Sequence, residues 1–277
     1  MMKPWIGALF GLVVGLVTLP SHADNAILMT KTVCDNQENT FTYDWNMKNT
    51  ADLKLFYLSG TSVADAVITP IGHADAFDGF DDVKVSAHGN AGVIAGIAAD
   101  TFADIFQNLH ASTPDTVEFY ACKAAQGAAG GGNSVQKALS LKYPGASAGE
   151  TAVGRLAAGG LNCSLTGKAA AGDPDITKIE DATYKTGASK AAGFDAAVAA
   201  LVTGWTTDLF PGSAKTFKNY CIDEVMTDPA ANLQNFLNQT ITKYGTDYLA
   251  LINLRYAGTD LYECGNNAGL PNPCVNQ

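Results

Sequence analysis

VKVSAHGNAGVIAGIAADTFADIFQNLHASTPDTVEFYAC, residues 83–122, is the stretch on which the fold turns. Val83 to Gly89 is a compact run of strand character that stops at His88-Gly89. Phe102, Ile105, Phe106 and Leu109 follow at i, i+3, i+4 and i+7, which predicts an amphipathic helix over 98–111. Thr113-Pro114-Asp115 breaks it. Thr116 to Ala121 then reads as a buried strand that runs into Cys122.

The alternation continues outward. Ala26 to Val33 and Thr40 to Trp45 are short β-like segments, and residues 54–60 read as a strand ending in a glycine turn. Residues 63–82 form a loop-rich connection in which Pro70 argues against a long central strand. Downstream, Gly127 to Gly132 is a flexible collar. Asn133 or Ser134 is placed to cap a helix through Tyr143, Pro144-Gly145 stops it, and residues 146–157 start one more strand. Strand, helix, strand, helix over 54–165 predicts an α/β fold with a mostly parallel sheet. Residues 166–192 are polar with few large apolar groups, so they read as an exposed linker. Beyond it the pattern is helical, over 190–203, 228–243 (with Pro229 in its first turn) and 245–256. The expected organisation is an α/β domain over 24–165, the linker, and a mainly helical C-terminal region over 193–277.

The first 23 residues read as a secretory signal peptide. Lys3 precedes a nearly apolar run over 5–19, Pro20 ends it, and Ser21-His22-Ala23 sets cleavage after Ala23. The short apolar leader suggests a bacterium, and the mature chain is expected to be secreted or periplasmic, with no stable membrane anchor. Loss of Lys3 with the leader moves the formal net charge from −10 to about −11. An acidic exterior disfavours nucleic acid and anionic membrane surfaces. All six cysteines lie after the leader: Cys34, Cys122, Cys163, Cys221, Cys264 and Cys274. An even count in an oxidising compartment suggests bridges. Cys264 and Cys274 flank a turn-rich loop and read as a local disulfide, and the other pairings stay open.

Ligands of open α/β sheets bind beyond the carboxyl ends of the strands. Two such ends carry reactive groups here, His88 and Cys122. An imidazole beside a thiol favours the thiolate, which is the nucleophile, and the same imidazole protonates a leaving amine. The main-chain N–H of Gly89, with that of Cys122, is suited to an oxyanion hole. An apolar strand ending in His-Gly followed by one ending in Ala-Cys resembles the caspase-, legumain-, gingipain- and clostripain-like clan of cysteine peptidases. That clan also includes the self-cleaving domains of bacterial repeat toxins. The resemblance covers about residues 54–165. It implies a caspase-like three-layer sandwich and a Cys122/His88 dyad working through a thioester acyl-enzyme on a protein or peptide substrate, without a cofactor. It also implies Gly89 in the oxyanion hole and Tyr120 lining the substrate pocket. The chain departs from caspases in following the cysteine with Lys123-Ala124 rather than Arg-Gly.

The alternatives are bounded. His73, near Asp75, is the reserve candidate for the base, and His110 reads as a structural residue in the last turn of its helix. No His, Cys or carboxylate group has metal-ligand spacing. Gly145-Ala146-Ser147-Ala148-Gly149 matches a nucleophile elbow, but Pro144 precedes it and no histidine follows His110. The expectation is a secreted cysteine peptidase or a related thiol hydrolase or transferase. The alternative is a disulfide-bridged exported binding or structural protein without catalysis.

Overall fold

Four strands with long apolar runs build the centre of the molecule, and a computed structural model shows how they assemble. The structure describes residues 25–114, 116–121, 124, 132–143, 152–156, 165–169, 194–256, 262–265 and 274–276. The expected signal peptide, the 145–149 elbow match and Cys122, Lys123 and Cys163 lie outside the described residues. So does most of the expected linker, residues 170–192.

The strands are β1 (Asn25–Thr30), β2 (Lys54–Ser59), β3 (Val67–Ile71), β4 (Asp82–Ser86), β5 (Gly89–Asn90), β6 (Val93–Ile94), β7 (Ile97–Ala98), β8 (Thr116–Tyr120), β9 (Ala152–Leu156), β10 (Leu165–Ala169), β11 (Tyr262–Gly265) and β12 (Cys274–Asn276). Among the described residues the helices are α1 (Glu38–Asn49), α2 (Ala99–Leu109), α3 (Val135–Ser140), α4 (Phe194–Thr207), α5 (Phe217–Tyr220) and α6 (Pro229–Tyr256). The main sheet runs β12-β11-β10-β9-β8-β4-β1-β2-β3. β2, β1, β4, β8 and β9 are mutually parallel, with Leu28 beside both Phe56 and Val85, and Val85 beside Phe119. β3 is antiparallel to β2 and forms one edge, where Pro70 has no second neighbour to donate to. β10 runs antiparallel to β9, and β12 antiparallel to β11. This is the expected α/β class with a mostly parallel sheet. Residues 166–169, expected in the linker, belong to β10.

Alternation along the strands sorts the core onto two faces. Leu28, Phe56, Val83, Val85, Val117 and Phe119 pack with Phe102, Phe106 and Leu139 of α2 and α3. Ile27, Met29, Leu55 and Tyr57 pack on the other face with Phe41 of α1, Trp205 of α4, Phe217 of α5 and Phe236 of α6. The C-terminal helices are therefore a layer of the same sandwich. Cys34, just after β1, is disulfide-bonded to Cys221, just after α5, and closes that layer. This settles one pairing that the sequence left open.

Three further segments differ from expectation. Thr40 to Trp45 is not β-like but lies within α1. Its β-branched and aromatic residues favour a strand locally. However, buried Asn39, Tyr43 and Asn46 recur at i, i+4 and i+7, and packing on the sheet overrides propensity. The two helices expected over 228–243 and 245–256 are one, α6. A helical Gly245 costs only about 1 kcal/mol against alanine, and buried Leu233, Phe236, Leu237, Thr240 and Tyr244 form one continuous stripe. The helix expected to reach Tyr143 ends at Ser140, although Ser134 caps it as anticipated, accepting from the Lys137 N–H.

Candidate active site at the carboxyl rim of the sheet

β4 and β8 are parallel neighbours, and Ser86 is the register partner of Tyr120. The Ala87 N–H donates to the Tyr120 carbonyl at 3.3 Å, so the pairing continues past the strand ends. His88 follows Ser86 by two positions and lies at the carboxyl rim, and in the sequence Cys122 follows Tyr120 by the same two positions. Cys122 itself lies outside the described residues. Ala121, the residue before it, is buried in the core shared with Ala87.

His88 is half-buried, and its main chain is held from two sides. Its N–H donates to Thr32 Oγ1 at 3.1 Å, and its carbonyl accepts from the Ala95 N–H at 2.8 Å. The second bond belongs to the small sheet β5-β6-β7, which carries the chain from His88 into α2. Gly89 opens β5 opposite Ile94, so the expected oxyanion donor sits where the chain leaves the rim. Ala95 takes a left-handed φ of 52°, a conformation that costs an L-residue about 1–2 kcal/mol. Tyr120, the expected pocket residue, is half-buried at the end of β8. Lys84 and Glu118, on the same strands, pair at 3.5 Å.

Beneath the rim lies a buried polar cluster that sequence reasoning missed. Ser86 Oγ donates to Asn39 Oδ1 at 3.3 Å, and Asn39 Nδ2 donates to Thr32 Oγ1 at 3.1 Å. Thr32 Oγ1 lies 2.8 Å from Thr30 Oγ1. All four side chains are buried. The one signal in the sequence was polar Ser86 inside an apolar strand, a position that needs a partner when buried.

Among the described residues the other two histidines, His73 and His110, sit at the amino rim. His73 Nε2 is 2.9 Å from the Leu55 carbonyl at the start of β2, while its Nδ1 accepts from the Asp75 N–H at 3.2 Å. The reserve base therefore lies at the opposite end of the sheet from His88. His110 is fully buried, with Nδ1 2.9 Å from the Ser112 carbonyl and Nε2 3.0 Å from the Phe80 carbonyl. It packs between Phe77 and Phe106 and serves structure, as expected. Asp78 accepts from the Ser112 hydroxyl and N–H, and those bonds, with the nearby His110, hold its carboxyl below the ordinary range.

Among the described residues no group of three or more His, Cys, Asp or Glu side chains is arranged to hold a metal ion, and no helix is long and apolar enough to cross a membrane. Cys264 and Cys274 are register partners of β11 and β12. Directly opposed antiparallel positions lie about 4.5 or 5.5 Å apart between Cα atoms, within the span of a disulfide. Their side chains lie outside the described residues. No protein-family model matches the chain, and no curated protein matches it.

Proposed function

We propose that the chain is an exported cysteine peptidase, or a related thiol hydrolase or transferase, with Cys122 as nucleophile and His88 as base and acid. The observation that carries this reading is the register of β4 and β8. Ser86 pairs with Tyr120, so both reactive residues follow at equal distance beyond parallel neighbours. The order β2-β1-β4-β8, with helices on both faces, suits the caspase-like sandwich that the motifs resemble. The Cys34–Cys221 bridge suits an oxidising compartment.

In this reading His88 takes the Cys122 proton, and the thiolate attacks the carbonyl carbon of the scissile amide. A C–S bond forms and the carbonyl π pair moves onto oxygen, where the N–H groups of Gly89 and Cys122 receive it. The pair returns, the C–N bond breaks, and His88 hands its proton to the leaving amine. Water, deprotonated by His88, then attacks the thioester. The carboxylic acid leaves and the Cys122 thiol is restored. Tyr120 lines the substrate pocket and offers no charge to a substrate side chain.

The cysteine count provides the test. Cys34–Cys221 uses two of the six, and the β11–β12 register sets two more opposite each other. Cys122 and Cys163 remain. Peptide mass mapping of the unreduced, exported protein is expected to find Cys122 as a free thiol. A Cys122–Cys163 bridge contradicts the dyad and favours the disulfide-bridged binding protein.

A further inference from the structure

We infer that Thr32 is a positioning residue for His88, and that through it the C-terminal helices hold the carboxyl rim. This deepens the Cys122/His88 reading and rests on it.

The argument starts at the end of a ladder. The last pair between β1 and β4 is Met29 with Ser86. Successive main-chain N–H groups of a strand point to opposite neighbours. The Ala87 N–H goes to Tyr120 of β8, so the His88 N–H faces the β1 side. On that side the chain after Thr30 does not continue the ladder but enters a 3-10 turn, Lys31–Cys34. Thr32 Oγ1 takes the acceptor place at 3.1 Å.

The hydroxyl is fully committed. Its two lone pairs receive the His88 N–H and Asn39 Nδ2, so its own proton goes to Thr30 Oγ1. Rotating Thr32 away breaks all three bonds inside a buried site. The turn that carries Thr32 is itself anchored. Cys34 is bonded to Cys221, its carbonyl accepts from Trp205 Nε1 at 3.4 Å, and Gln37 Nε2 donates to the Leu201 carbonyl at 2.6 Å. A continuous path of bonds therefore runs from α4 and α5 through Cys34 and Thr32 to the main chain of His88.

The test compares wild type, Thr32→Ser and Thr32→Val in the full exported chain. Two quantities are read: hydrogen exchange of the His88 amide, and the pH profile of Cys122 alkylation by iodoacetamide. In Thr32→Val the His88 amide loses about tenfold or more of its protection. Cys122 alkylation slows by about tenfold to a hundredfold. Its half-point moves toward that of an ordinary thiol, about 8.5. Thr32→Ser keeps the hydroxyl and restores both. If Thr32→Val does not fold, Thr30→Val gives the same test. It removes the acceptor of the Thr32 proton, and a smaller loss of both quantities is expected. Folded variants with wild-type protection at His88 and wild-type alkylation at Cys122 overturn the inference. A wild-type Cys122 that reacts no faster than free cysteine overturns the dyad instead, because the exchange measurement reads the Thr32–His88 bond independently.

Discussion

At the amino rim of the sheet, His73 and His110 are tied through their rings to main-chain carbonyls, those of Leu55, Ser112 and Phe80. At the carboxyl rim, His88 is tied by its main chain, to Thr32 on one side and Ala95 on the other. A histidine whose ring nitrogens are both spoken for by fixed neighbours is a bracket. His88 instead has its main chain clamped at a strand end, with its side chain half-buried. The difference is what the proposed division of roles between the two rims rests on. The buried polar cluster at the carboxyl rim holds the His88 main chain through Thr32.

The comparison can be broken from either side. The largest expected effect is on the clamp. Replacing Cys34 and Cys221 together by alanine opens a cross-link between residues 187 apart in sequence, and chain entropy sets the loss near 5 kcal/mol. Guanidinium unfolding of the two proteins measures it. Next is His110→Ala, which leaves a cavity between Phe77 and Phe106 and strands two carbonyls. The expected cost is about 3 kcal/mol by the same measurement. Cys122 alkylation should not change, and a large fall in that rate would break the assignment of roles to the rims.

Smaller effects sharpen the amino-rim account. Hydrogen bonds from Ser112 hold the Asp78 carboxyl below its ordinary value. Its contribution is therefore full above the unfolded pKa of about 3.9 and is lost as pH falls through the folded value. Half of the Asp78 side chain is exposed, so solvent screening keeps the contribution under about 1 kcal/mol. Melting temperatures across acid pH should fall more steeply for wild type than for Asp78→Asn. The smallest effect is expected at Asp52, whose φ of 49° lies in the left-handed region. Asp52→Gly should gain about 0.5 kcal/mol in thermal unfolding and leave Cys122 untouched.

The strand–helix–strand unit was legible because period and punctuation agreed: Val83 to Gly89, the Phe102-Ile105-Phe106-Leu109 stripe, and Thr113-Pro114 as the break. The same rules misread Thr40 to Trp45, where strand propensity met a site whose burial recurs with helical spacing. They read α6 as two helices, 228–243 and 245–256, because the long buried stripe that joins them becomes visible only in the packing. The place of His88 just beyond a strand end could be read from the sequence. Thr32 and Asn39 could not. They reach His88 and Ser86 across 56 and 47 residues of chain, and no local pattern encodes such a meeting. The Cys34–Cys221 pairing was hidden for the same reason, at greater range.

The central proposal is that His88, rather than His73 or His110, activates Cys122. Its most direct test is the rate of Cys122 alkylation by iodoacetamide near pH 6.5 in wild type, His88→Ala and His110→Ala. The account predicts a rate well above that of free cysteine in wild type and His110→Ala, and a fall of about a hundredfold in His88→Ala. Equal, slow rates in all three proteins would contradict it.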